Sequence, residues 1–320
     1  MANLDYTYQV ARIRYREKFC LNDAFIASLA QAQDVKECIR LLADKGWGDA
    51  SMSAEEIIAH QRKELSSLMN ELLGEGEHFK VFFMENDFHN LKAAIKSSLY
   101  PTTGVIYLEP NTVSVKLMEK CITENDFSAL PEDMVLCAKS AFETLKETGD
   151  GQACDIIIDK ALILAQINEA KKSGINLFIQ YAEHNAAVAN IKVAVRALMA
   201  NKGREFLNNA LADCNSLSKE GLIKASENGL EGIIEYLSKT DFAPIALALN
   251  QSGALFEKEC DNRLIRILKP LKMDYFTIEP VAAYYLARLN EIKTVQMLLT
   301  AKANGLEEKY VAERLRVMYV

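Results

Sequence analysis

Apolar positions recur at three- and four-residue intervals through most of the chain, the spacing of helices that set one face against a core. The opening segment, YTYQVARIRYREKFCL, places Tyr8, Val10, Ala11, Ile13 and Phe19 among charges and predicts a half-buried helix over 6–20. Asn22 and Asp23 offer caps for DAFIASLAQA, and Asp34 starts VKECIRLLADKG, which stops at its glycine. A loop with Trp47 as an aromatic plug follows. Ser53 then opens AEEIIAHQRKELSSLMNELLG with a capping box, and Gly74 and Gly76 break it. Two prolines, a glycine and several β-branched residues make 101–115 a linker, with Ser114 near the next helix start. Farther on, Pro131 suits a first helical turn and Asp150 with Gly151 interrupts the pattern. DIIIDKALILAQINEAKKSG resumes it with an expected core face of Ile157, Ala161, Leu164 and Ile167. FEKECDNRLIRILKPLKM ends at Pro270, and a terminal helix is predicted over 308–318. The expected fold class is all-α.

One helical pattern is written more than once. FHNLKAAIKSSL, Phe88 to Leu99, returns at an offset of 100 residues as VANIKVAVRALM and at 200 as the weaker RLNEIKTVQMLL. Asn90, Asn190 and Asn290 fall in register, as do Ile95, Val195 and Val295; Lys96 and Arg196 are followed by Gln296. A looser copy opens the chain, with Arg14 against Lys96 and Ile13 against Ile95. Independently, LSKEGLIKASENGLEGIIEYLSKTDF parallels LNDAFIASLAQAQDVKECIRLLADKGW, with Phe242 matching Trp47. Solenoid repeats run at roughly 20–50 residues, whereas this period is that of a small domain able to bury its own core. The expected division is three related helical bundles, 1–87, 88–187 and 188–320. The recurring asparagines read as architectural, at the element by which each bundle joins the next. Three such units in head-to-tail contact can close on themselves if each rotates by a third of a turn.

Composition narrows the function classes. Half of the 320 residues are hydrophobic and a quarter charged, and prolines and glycines are few. A formal net charge of −7 argues against a general nucleic-acid binder. Seven scattered cysteines without a CxxC, and no secretory leader, point to a reducing cytoplasm. No apolar run reaches the ~18 residues that a transmembrane helix needs. No phosphate-cradling GxxxxGK[ST] is present, and LGEGEH lacks the glycine spacing of a dinucleotide fingerprint. His60, His78, His89 and His184 form no HExxH and read as surface or helix-end residues. Asp155 and Asp159, four apart on one helical face, fit a solvated face better than a metal site. DCNSLSKEG puts Ser218 where a calcium loop needs glycine and reads as a capping segment. Neither a catalytic, a cofactor nor a metal site is expected.

The basic positions leave two readings open. Lys92 with Lys96, and Lys192 with Arg196, sit four apart on one face, and no acid lies four residues before either pair. Arg12, Arg14 and Arg16 concentrate positive charge in an otherwise acidic chain. Solvated helix faces account for this, and so does an acidic partner or an acidic neighbouring unit. Arg12, Arg14, Arg16, Lys96 and Arg196 are therefore the partner-binding candidates.

YTYQVARIRYREKFCL, FEKECDNRLIRILK and above all the last 42 residues, from EPVAAYYLARLNEIKTVQMLL to the closing ERLRVMYV, resemble the C subunit of archaeal and bacterial A/V-type ATP synthases. The eukaryotic counterpart is the d subunit of the vacuolar ATPase. The resemblance covers essentially the whole chain, although Arg288 with Leu289 replaces the family's basic–acidic pair and Gln296 its arginine. It implies three pseudo-repeats about a pseudo-threefold axis, forming a funnel. It also implies a non-catalytic rotor role between the central stalk subunits (D/F type) and the membrane proteolipid ring, with torque carried between ATP chemistry and proton or sodium transport. The expected location is cytoplasmic and peripheral to the membrane, with no membrane span and no nucleic acid. The competing expectation is a generic helical-repeat adaptor scaffold.

Overall fold

In the computed structural model, which describes residues 5–74, 79–100 and 104–320, the regular elements are helical and no strand occurs among the described residues. Gly76, His78 and Pro101, picked out in the sequence, lie outside the described residues. The chain begins with α1 (Thr7–Glu17), α2 (Asp23–Gln31), α3 (Val35–Asp44) and α4 (Ala54–Leu73). There follow α5 (Lys80–Leu99), α6 (Val115–Glu124), α7 (Glu132–Thr148), α8 (Gly151–Ser173), α9 (Asn176–Met199), α10 (Arg204–Ala210), α11 (Lys219–Ser226) and α12 (Gly229–Ser238). The chain closes with α13 (Ala243–Gln251), α14 (Gly253–Leu268), a 3-10 turn at Lys269–Met273, α15 (Glu279–Ala303) and α16 (Glu308–Glu313).

Helix starts follow their caps. Asn22 accepts from the Phe25 amide, Asp34 from that of Glu37 and Ser218 from that of Gly221, each satisfying an orphan donor of the first turn. Ser53 and Glu56 form the expected capping box. Asp150 accepts from the amides of Gln152 and Ala153, so Gly151 begins α8 rather than breaking the chain. Pro131 stands one place earlier than expected, as the residue that caps α7.

The chain divides into two compact units, Met1–Gly76 with Leu237–Val320, and Glu77–Tyr236. In the first, α15 is the central element and packs on α1, α2, α3, α4 and α14. Its buried residues run all round the helix, as those of an internal helix must. Trp47 is the plug expected in the loop after α3, and Phe242 is its buried counterpart. Each lies under a guanidinium, Arg288 at 5.0 Å and Arg263 at 4.3 Å from the ring centroid. In the second unit, α5 and α8 are central. α5 meets α6, α7 and α8, and α8 also meets α7, α9 and α10. Met84, Phe88, Leu91 and Ile95 of α5 lie in one core with Met134, Ala138, Ala141, Cys154 and Ile158.

Two expectations about faces and ends are corrected. On α8 the fully buried positions are Cys154, Ile158 and Ala170, while Ile157 and Ala161 are half-buried and Leu164 is exposed. Only Ile167 of the expected face is in the core, because α7, α5 and α9 press on the other sides of the helix. The predicted terminal helix stops at Glu313, and 315–320 run without helix. Side chains from elsewhere in the first unit take up its backbone groups. Val317 donates to Asn262 and Met318 to Asp23, and Arg316 pairs with Asp261. Burial alone would raise Asp261, but Lys293 and Arg316 hold it below the ordinary carboxylate range.

The three asparagine copies form the C-terminal parts of α5 and α9 and the middle of α15, and each asparagine grips a stretch of chain that returns to it. Asn90 accepts from the Leu108 amide at 2.7 Å and donates to the Leu108 carbonyl at 2.9 Å. Asn190 treats Ala212 the same way, at 3.0 and 2.8 Å. Asn290 donates to the Val317 carbonyl at 3.4 Å. A carboxylate on the same helix makes a second grip in the first two copies. Asp87 takes the amides of Thr112 and Val113, and Glu183 those of Asn215 and Ser216. These segments lead into α6 and α11, so the grips fix how each following helix begins.

Candidate functional site

In the first unit, α1 and α4 stand on either side of α15, and a groove of about 720 Å³ opens above it. Its floor is buried and polar. Arg288 is paired with Glu291, donates to Gln61 Oε1 at 2.5 Å and stacks on Trp47. Glu291 also accepts from the Leu21 amide at 3.1 Å, and Gln61 donates to the Trp47 carbonyl at 3.1 Å. The arrangement joins α15 to α4 and to the loops before α2 and after α3. Burial pushes the Glu291 carboxyl up to about 7, against the pull of Arg288 and the Leu21 amide. Burial works against charge on Arg288 too, but Glu291 and Tyr284 outweigh it and leave the guanidinium more basic than usual. Burial likewise pushes the Cys20 thiol, on the same side of α15, up to about 12.

The walls hold two of the five partner-binding candidates. Arg12 pairs with Glu71 across the groove at 2.8 Å and donates to the Tyr8 hydroxyl at 2.8 Å. Arg16 is exposed and has no ion-pair partner among the described residues. Arg14 faces elsewhere. It pairs with Glu17 at 2.7 Å and donates to the carbonyls of Leu271 and Asp274, tying α1 to the 3-10 turn. The other two candidates belong to the second unit. Lys96 lies 2.6 Å from Asp155, and Lys92 lies 2.5 Å from Asp159, so the acid pair on α8 meets the lysine pair on α5. Arg196 is exposed, with no ion-pair partner among the described residues.

Sequence reasoning missed the floor of the groove. A signal existed in YYLARLNE, where Arg288 and Glu291 lie one turn apart on a mainly apolar helix, the spacing at which opposite charges pair. It missed Asp87 and Glu183 as well, although they precede Asn90 and Asn190 by about one and two helical turns on the same face. Among the histidines, His184 is buried within α9 rather than at a surface or helix end. The described residues contain no cluster of His, Cys, Asp or Glu placed to hold a metal ion. None of the helices among them is long and apolar enough to cross a membrane. All seven cysteines are free.

A family model described as ATP synthase (C/AC39) subunit matches residues 9–314 and so spans both units. The chain is also similar to the C subunit of the V-type sodium ATPase of Enterococcus hirae, with 21% identity over 273 residues. That alignment covers 83% of this chain and 82% of the relative.

Proposed function

Because the chain belongs to the ATP synthase (C/AC39) subunit family, we propose that it is the non-catalytic rotor subunit that seats the central stalk of an A/V-type ATPase on the membrane proteolipid ring. ATP is made or hydrolysed in other subunits, protons or sodium ions cross at the ring, and this protein carries torque between them. The observation that carries the reading is the extent of the family match, which includes most of α1 and all of α16 and omits no helix wholly.

Torque transmission asks two things of such a protein, stiffness and grip. Stiffness is supplied by close-packed helical cores and by the asparagine and carboxylate grips that pin the non-helical segments. The recurrence of those grips at Asn90, Asn190 and Asn290 supports three repeats, 1–87, 88–187 and 188–320, set about a pseudo-threefold axis as a funnel. Grip is assigned to the D/F-type stalk subunits on one side and to the proteolipid ring on the other, with the protein held peripherally on the cytoplasmic face. Of the sequence candidates, Arg12, Arg16 and Arg196 are exposed or line the groove and are the ones available to such partners.

Co-expression with the stalk and ring subunits tests the reading. The protein is expected to migrate with both on gel filtration. Separate migration from both refutes the rotor role and returns the chain to a helical adaptor.

A further inference from the structure

We propose that the groove between α1 and α4 seats an acidic amphipathic α-helix contributed by the stalk; the inference rests on the rotor reading and names the surface and the chemistry of the contact. Four observations carry it. First, the groove is concave and preformed, since Trp47, Gln61, Tyr284 and Arg288 beneath it are buried and held by hydrogen bonds, an ion pair and a stacked ring. The eleven residues of α1 run about 16 Å at roughly 1.5 Å each, the length of three turns of a seated helix.

Second, the α1 wall leaves large apolar groups in water. Tyr15 is 60% and Phe19 54% exposed, and their rings meet edge to face at 5.3 Å. Tyrosine and arginine on a well-formed groove wall are the residue types that dominate the cores of protein interfaces. Third, the charges of the walls do not balance. Glu71 answers Arg12 and Glu291 answers Arg288, but Arg16 and Lys63 have no carboxylate partner among the described residues. Lys45 lies 5.4 Å over the Phe25 ring, again without an acid. On a chain of net charge −7 this excess is local, and it complements a helix with carboxylates on one edge. Fourth, Glu64 and Glu71 sit on the α4 wall among these cations. Glu71 is taken by Arg12, but a flat anionic lipid surface would set charge against Glu64 as well as against the cations, whereas a helix can place its carboxylates against Arg16 and Lys63 and leave Glu64 clear.

The test titrates purified D/F-type stalk complex into the full-length protein by calorimetry, at low and at high salt. Arg16→Glu with Lys63→Glu is expected to weaken binding about tenfold or more at low salt and to flatten the salt dependence. Tyr15→Ala with Phe19→Ala is expected to weaken it by about tenfold with the salt slope kept. If the charge-reversed protein melts early by circular dichroism, Arg16→Gln with Lys63→Gln takes its place, with a loss of about threefold. Affinity and salt slope unchanged in these variants, while the wild type binds, overturn the groove assignment and leave the rotor reading intact. No binding by the wild type overturns both. Phosphatidylglycerol vesicles form the second arm. Binding to them that depends on Arg16 and Lys63, with stalk affinity unchanged, overturns the helix in favour of a lipid surface.

Discussion

Replacing each recurring asparagine by alanine tests whether the repeat written in the sequence is a mechanical device. Asn190 and Ala212 are both buried, so Asn190→Ala strands an amide and a carbonyl that water cannot reach. At about 1–3 kcal/mol for each of the two unsatisfied buried groups, the loss is about 2–6 kcal/mol. Asn90 makes the same two bonds, but Leu108 is 37% exposed and water can replace the side chain. The cost there falls to the net worth of two hydrogen bonds, about 1–2 kcal/mol. Asn290 makes one long bond to half-buried Val317, and its loss costs about 1 kcal/mol or less. Hydrogen exchange read by mass spectrometry reports each gripped segment separately, which suits a chain of two units better than one global transition. Exchange around Ala212 is expected to speed up by about thirtyfold or more, at a factor of ten per 1.4 kcal/mol, with smaller changes near Leu108 and the least near Val317. Equal losses at the three sites, or the reverse order, would show that burial of the gripped segment does not set what each asparagine contributes.

Glu291 ionises near 7 in the folded protein and near 4.5 unfolded, so between those values the native state holds the proton and the unfolded chain does not. Its contribution to stability therefore falls as pH rises through that window; relative to Glu291→Gln, the wild type should lose roughly 1–3 kcal/mol between pH 5 and 8 in urea unfolding, and a gain is the contrary result. Arg14→Glu sets a carboxylate against Glu17 and two backbone carbonyls and should lower stability by about 1–3 kcal/mol, while Arg16→Glu stays within about 0.5 kcal/mol in the same unfolding assay. Gly232→Ala brings a Cβ within 2.3 Å of the Ala225 carbonyl oxygen, so thermal melting should show a loss of about 1–3 kcal/mol. Asp155→Ala removes the acid shared by Lys92 and Lys96, but these side chains are about a third exposed. Solvent screening limits the loss to about 1 kcal/mol or less, shrinking further in a salt titration of the melting temperature.

What could be read in the sequence was local. Caps at Asn22, Asp34, Ser53 and Ser218 act within a few residues, and each begins the helix it was expected to begin. The register of Asn90, Asn190 and Asn290 was visible because a repeated function needs a repeated residue. What each asparagine holds was not visible, because the gripped segments share neither composition nor distance from the asparagine. The end of the chain escaped for a related reason. VAERLRVMYV has a helical pattern, but Asp23, Asn262 and Asn290 offer the backbone at 317–318 partners that a helix would not use. The floor of the groove depends on tertiary contacts too, since Gln61, Leu21 and Arg288 meet only when α15 lies between the first helices. Lys96 and Arg12 carried the same sequence signal, surplus charge on a helix face. Folding gives both an acid of their own unit, Asp155 for Lys96 and Glu71 for Arg12, and leaves Arg16 and Arg196 without one among the described residues.

In the proposed role this protein joins ATP turnover to ion movement while other subunits perform both. Ion uptake into vesicles carrying the assembled ATPase, measured together with ATP hydrolysis in the presence and absence of this protein, tests it most directly. Omitting it is expected to abolish ATP-driven ion uptake while the catalytic subunits still hydrolyse ATP, and adding it back to restore uptake. Ion uptake at the full rate without it would refute the rotor role.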